Sequence, residues 1–209
     1  MKIAILGATG KTGGHAMRRA LDAGHEVRVL ARDPAKLTTK HERLSVIQGD
    51  ATKPEDCATL VAGCDAVIGT LGPPDLGVTT VRQDAAKAVA TAMKEKGVKK
   101  IVWLSAIGVG DNIAQARRTS FLLATFIKLR LKKTYVDADA AEQVLRASGL
   151  DYVLVRPPGL TDKNATGVME EVPEDKKLPR FRCTRDDVAA WMLMAATVPT
   201  FDRKAVTIC

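Results

Sequence analysis

The chain has 209 residues, 46% hydrophobic and only 4% aromatic, which suits one α/β domain with a mostly aliphatic core. Its formal net charge of +8 draws anions, whether dinucleotides, acidic small molecules, nucleic acids or anionic lipid. With no apolar run of transmembrane length, no signal-peptide pattern, and no CxxC pair or metal-ligand spacing among Cys57, Cys64, Cys183 and Cys209, the expectation is a soluble, cytoplasmic protein with reduced thiols and no metal.

In chain order, short aliphatic runs bounded by Gly, Asp, Lys or Pro predict strands at 3–6, 27–30, 44–47, 66–70, 101–104 and 152–155, with a last one at 205–208. Helices are predicted between them at 13–23, 54–61, 79–96 and 137–148, and at 186–197 before the last strand. The continuity of the runs predicts strands covered on both faces, as in a parallel sheet. The strand–helix alternation predicts a Rossmann-type doubly wound α/β sheet forming a single domain over 1–209. A basic amphipathic insertion at 112–136 and substrate-side loops at 157–185 are its two departures. The insertion holds Arg117, Arg118, Lys128, Arg130, Lys132 and Lys133 with no acid, around Phe121-Leu122-Leu123-Ala124-Thr125-Phe126-Ile127. It is expected to be an amphipathic helix lying over the sheet.

The loop Gly7-Ala8-Thr9-Gly10-Lys11-Thr12-Gly13 follows the first strand and opens the first helix. Gly7 allows the sharp turn, Gly10 lets the backbone approach a phosphate, and Gly13 permits close helix packing. Free N–H groups at the helix start suit a pyrophosphate, and Thr9 and Thr12 can add hydroxyl donors. After the second strand an NAD-preferring chain carries an acid for the ribose 2′-hydroxyl. Here Arg32 stands there, with Lys36 one turn on, so a 2′-phosphate and NADP(H) are favoured. Asp33 keeps NAD open. The Gly49-Asp50-Ala51 turn is expected to line the adenine pocket, and Leu71-Gly72-Pro73 lies at the edge where open α/β sheets bind ligands.

The glycine loop, the Ala31-Arg32-Asp33-Pro34 segment, the Gly49-Asp50-Ala51 turn, Leu104-Ser105-Ala106, and Arg156-Pro157-Pro158-Gly159 together resemble the atypical short-chain dehydrogenases. Within these the chain is most similar to the NAD(P)H-binding, NmrA-like group that includes the biliverdin-IXβ (flavin) reductases. The resemblance covers nearly the whole chain. It implies reduction of flavins, biliverdins or quinone-like acceptors by NADPH, places the nicotinamide near Ser105 and the Pro157-Pro158 turn, and assigns Ser105 to substrate positioning or protonation. The Tyr-x-x-x-Lys pair of the short-chain dehydrogenases is missing: Asp139 follows Tyr135 at that spacing, and Ala138 replaces the related lysine four residues before Glu142. Gly159 stands where the biliverdin reductase has a histidine.

Hydride delivery to a simple carbonyl creates an alkoxide that needs a proton donor or oxyanion pocket. A conjugated acceptor spreads the charge, and solvent can supply the proton. The expected enzyme therefore orients NADPH against a flat acceptor, with Ser105 at the nicotinamide and Leu71-Gly72-Pro73 and Pro157-Pro158-Gly159 as slot walls. Phe121, Leu122, Phe126 and Ile127 are read either as a lid over the acceptor or as a face completing the core or a subunit contact. A membrane-surface role for this segment is at best weak and reversible. The alternatives are an NmrA-like redox sensor that binds dinucleotide without turnover, and an epimerase, which the missing base disfavours. No DNA-binding motif appears, so nucleic acid is not expected as a partner, and the protein is read as a monomer or weak dimer.

Overall fold

The computed structural model of the chain describes residues 1–72, 77–199 and 203–209, the side chain of Lys128 excepted. Strand β1 (Lys2–Leu6) leads through the glycine loop to α1 (Lys11–Asp22), β2 (Glu26–Ala31), β3 (Leu44–Gln48), α2 (Pro54–Val61) and β4 (Ala66–Gly69). Then come α3 (Val81–Lys96), β5 (Lys100–Leu104), α4 (Ile113–Thr119), α5 (Phe121–Phe126), a π turn (Ile127–Leu131) and α6 (Lys132–Ala147). The chain closes with β6 (Asp151–Arg156), β7 (Gly159–Thr161), β8 (Glu171–Val172), β9 (Arg182–Thr184), α7 (Arg185–Thr197) and β10 (Lys204–Ile208).

The sheet order is β3-β2-β1-β4-β5-β6-β10-β8, parallel except where β8 pairs antiparallel with β10. Strand order reverses beside β1, between β1–β2 and β1–β4, which opens the crevice where ligands bind in such sheets. Helices α1 and α7 pack together on one face, over a core that includes Ile3, Ile5, Met17, Val153, Val188 and Met192. Helices α2, α3 and α6 cover the other, over Leu6, Leu60, Val67, Met93, Trp103 and Leu145. A Cβ at Gly69 would lie 2.1 Å from the Trp103 ring, so glycine is what lets the bulkiest core side chain sit flat against β4. Fully burying one such aliphatic side chain is worth about 1.5–3 kcal/mol, so these two layers hold most of the fold's stability.

Every predicted strand is present within a residue or so of its expected bounds. Four expectations need correction. Strand β3 is not covered on both faces: it is the sheet edge, with Ser45 and Val46 exposed. Helix α1 begins at Lys11 rather than at 13, taking Thr12 and Gly13 into its first turn. The 112–136 insertion is not one amphipathic helix. Ser120 is extended (φ −162°) and caps α5 by accepting a hydrogen bond from the Leu123 N–H, so the segment breaks into α4, α5 and the π turn before running into α6. The 157–185 segment, expected as loops, contributes β7, β8 and β9, the first and last pairing as a small parallel ladder.

Candidate functional site

The glycine loop sits at the crevice end of β1. Gly7 has φ +85°, a left-handed conformation that a side chain rarely adopts. A Cβ at Gly13 would fall 2.2 Å from the Gly7 carbonyl oxygen and 2.5 Å from Thr70 Oγ1, so only glycine lets the helix start press against the turn and the end of β4. Gly10 is the α1 N-cap and offers no side-chain cap, which leaves the first-turn amides available to an anion. This cradle fits a pyrophosphate. A cleft of about 390 Å³ beside it is lined by Thr9, Gly10, Lys11, Arg18, Lys36 and Asp162 among others. Thr9 is exposed, whereas Thr12 is buried at 6% exposure. Lys11 Nζ reaches Asp162 Oδ2 at 2.5 Å, and Arg185 holds the other oxygen at 2.6 Å.

Arg32 and Lys36 are exposed beyond β2. Asp33 accepts a hydrogen bond from the Ala35 N–H at 3.1 Å and so caps the turn Pro34–Lys36. Asp50 accepts from the Thr52 N–H and hydroxyl, both at 2.9 Å. That bonding, with Arg32 and Lys53 nearby, holds its carboxyl below the usual carboxylate range against the opposing effect of burial. Ala51 is half-buried in the same turn. Of the Leu71-Gly72-Pro73 wall, Pro73 lies outside the described residues. Leu71 packs on the core cluster of α2 and α3, and its carbonyl accepts from Arg82 Nε at 3.2 Å.

Ser105 follows β5, next to Leu104, at the same crevice edge. Its N–H donates to the Val155 carbonyl at 2.7 Å, and the Ile107 N–H donates to the Pro157 carbonyl at 3.0 Å, so the ends of β5 and β6 are stitched together. Its hydroxyl donates to Glu142 Oε1 at 2.5 Å. Glu142 and Arg156 are each 1% exposed and form a bidentate pair through Arg156 Nε and Nη2. Arg156 Nη2 also donates to Asp111 Oδ1 at 2.6 Å. Burial opposes the charge on Arg156, but Glu142 and Asp111 outweigh it and raise its pKa. A serine whose proton is committed to an ionised carboxylate keeps only acceptor capacity toward a ligand. Tyr135 donates to the Ile107 carbonyl at 3.0 Å, and burial pushes its phenol up to about 12. Neither hydroxyl is set up to protonate an alkoxide.

Sequence reasoning missed this Ser105–Glu142–Arg156 network. A signal was present, since Arg156 ends a strand of continuous apolar residues, and a buried guanidinium there demands an acid. Among the described residues of the predicted slot walls, none lines the large apolar cleft near α4 and α5. That cleft, about 1170 Å³, lies between the 108–110 turn, α4, α5 and the start of α6. Phe121, Ile127, Leu129, Tyr135 and Asp139 line it, with Arg117, Arg118 and Lys132 at its rim. Phe121 and Ile127 thus belong to this cleft, whereas Leu122 and Phe126 are 78% and 52% exposed and complete no core.

Residues 7–199 match the NAD(P)H-binding family, and the chain belongs to it. It is 28% identical to a Bacillus subtilis protein described as the uncharacterized sugar epimerase YhfK, over 98% of this chain and 92% of that one. The chain spans about half to two thirds of several longer curated relatives. Among solved structures, an anaerobilin reductase, ChuY, from Escherichia coli O157:H7 shares the fold with a TM-score of 0.81 at 22% identity, covering 100% of this chain and 96% of that one. A short-chain dehydrogenase/reductase from Veillonella parvula, solved in complex with NADP, does so with a TM-score of 0.79 at 20% identity, covering 99% and 93%. The chain is therefore an NAD(P)H-binding protein with a Rossmann-type fold.

Proposed function

We propose that the protein is an NADPH-dependent reductase that passes a hydride to a flavin, biliverdin or quinone-like conjugated acceptor. The observation that carries this reading is the pairing of a large apolar, cation-rimmed cleft with a crevice edge where both candidate proton donors, Ser105 and Tyr135, are already committed. Bound NADPH supplies the hydride, and solvent water supplies the proton to an acceptor that delocalises the charge. The chain's own task is orientation. The amides of Lys11 and Thr12 at the start of α1 hold the pyrophosphate, and the Lys11 ammonium joins them by leaving Asp162. Arg32 and Lys36 take the 2′-phosphate; Asp33 caps its own turn through Oδ1, and its Oδ2 lies 4.0 Å from Lys36 Nζ. Asp50 and Ala51 flank the adenine side, and Leu71 and Gly72 lie at the crevice edge. Leu104, Ser105 and Pro157 border the nicotinamide, with Ser105 accepting from a carboxamide or pyrrole N–H rather than giving up a proton. The fold neighbour ChuY is named an anaerobilin reductase, which supports this acceptor class. Four buried free thiols fit a reducing compartment such as the cytoplasm.

The competing reading is a dinucleotide sensor without turnover. Steady-state oxidation of NADPH and NADH against a panel of flavin, biliverdin and quinone acceptors separates the two. Turnover with NADPH preferred is expected, and Arg32→Ala should weaken NADPH binding by about 10- to 100-fold while leaving NADH nearly unchanged. Tight NADPH binding with no turnover on any acceptor would establish the sensor instead. An NADH preference would overturn the role of Arg32.

A further inference from the structure

We propose that α5 and the π turn after it form a patch that docks the protein, weakly and reversibly, on the surface of an anionic phospholipid bilayer. Phe121 and Leu129 of this patch also line the cleft that the reductase reading assigns to the acceptor, and vesicle binding reads docking apart from turnover. Four large apolar side chains project into solvent within nine residues: Phe121 is 69% exposed, Leu122 78%, Phe126 52% and Leu129 73%. Single exposed apolar residues are ordinary, but a contiguous group marks an interaction surface. Leu122 and Phe126 lie one turn apart on α5, Leu129 and Arg130 follow in the π turn, and Lys133 lies in the first turn of α6.

Charge decides what covers it. The segment 112–136 carries only basic charges, and Arg117, Arg130, Lys132 and Lys133 are exposed with no acid partner among the described residues. Asp139 lines the adjoining cleft, with its Oδ1 buried and without a hydrogen-bond partner, and the other flanking acids are engaged elsewhere. Asp111 and Glu174 face Arg156, and Asp137 is buried, accepting from the Arg82 and Gln83 N–H groups at the start of α3. An apolar core ringed by unpaired cations complements an acyl boundary beneath a layer of lipid phosphates. It complements no apolar protein partner, whose approach would strand the cations, and a second copy would set like charges face to face.

Co-sedimentation of the full chain with vesicles of phosphatidylcholine alone, or mixed with phosphatidylglycerol, tests this. Binding is expected only to the mixed vesicles, and raised salt should weaken it. Removing one cation, as in Arg130→Gln, should cost about fivefold in partitioning. Leu122→Ser with Leu129→Ser should cost on the order of tenfold or more. Both alter exposed side chains, so folding is spared. Insertion has its own readout: the native Trp103 and Trp191 are 1% and 6% exposed, so the Phe121→Trp variant places a new solvent-exposed fluorophore in the patch. Its emission should move to the blue with mixed vesicles. No sedimentation with mixed vesicles overturns the proposal, and so does binding without the blue shift. A dimer in solution that Leu122→Ser abolishes also overturns it, because a second copy would then cover the patch.

Discussion

Glu142 is an ordinary-looking acid in the middle of a helix, yet it anchors the crevice edge. Its two oxygens take up the Ser105 hydroxyl and two guanidinium nitrogens, with both charged partners out of solvent. Removing one member of a buried pair strands the other. Glu142→Ala is therefore expected to cost about 3–5 kcal/mol, read from urea denaturation midpoints. The double variant Glu142→Leu with Arg156→Met should recover most of that loss, because an apolar replacement of the whole pair leaves nothing stranded; equal destabilisation by single and double variants would count against the account. The site was thus half legible at this scale. Gly7 and Gly13 could be read directly because the turn and the close packing of the helix start demand glycine there. Ser105 could be placed at the crevice edge, but not its bond to Glu142, since that depends on α6 packing across from β5.

Among the elements, strands were the easiest to read because aliphatic runs between turn residues have few other fates. Helix starts were harder. The loop to Gly13 reads as one glycine turn, which places the expected start of α1 two residues too late: Lys11 and Thr12 already belong to the helix. The insertion was misread because apolar periodicity runs through Ser120, whereas the hydroxyl of that residue caps a new helix. Helix α7 is tied down more firmly. Asp187, 3% exposed, accepts from the N–H groups of Thr166 and Gly167 and from the hydroxyls of Thr166 and Thr184. Burial pushes its pKa upward, but these donors outweigh it and hold the carboxyl below its usual value. A depressed folded-state pKa means stability that is present above the unfolded value, near 4, and is lost as pH falls through the folded value. Urea midpoints should therefore fall as the solution is acidified below about pH 4, and Asp187→Asn, less stable at neutral pH, should show a flatter fall. An unchanged acid slope in that variant would exclude Asp187 as a source of the dependence.

Across the whole molecule, cofactor binding and folding are linked, because the cradle draws on β1, α1 and the ends of β2 to β6 together, a set that the unfolded chain cannot assemble. Free NADPH at about 100 times its Kd should add about 2.7 kcal/mol of stability, a rise of roughly 5–10 °C in melting temperature for a chain of this length. Calorimetry with NADPH, with NADH and without nucleotide would measure it. No shift with either nucleotide would mean that the crevice does not bind them. The doubly wound class was readable from the alternation alone; the placement of β10 between β6 and β8 was not, because no local pattern encodes which edge a final strand will join.

That strand order also sets a timetable. Strand β1 pairs with β2, whose residues lie 24 positions on (Lys2 with Glu26), before it can meet β4, where Ile3 pairs with Ala66. Strand β10 must return from residue 204 to find Val153. Each such parallel pairing closes a long loop before any contact rewards it, so acquisition of the sheet is a slow, stepwise affair that grows outward from β1. Until β4 arrives, the flank of β1 is a naked row of amides and carbonyls open to a neighbouring molecule. Pulse-labelled hydrogen exchange during refolding should find the β1 and β2 amides protected first and those of β10 last, and protection of β10 ahead of β1 would reverse this order of assembly. The central position that makes β1 the seat of the nucleotide loop also makes it the strand that spends longest waiting for its second neighbour.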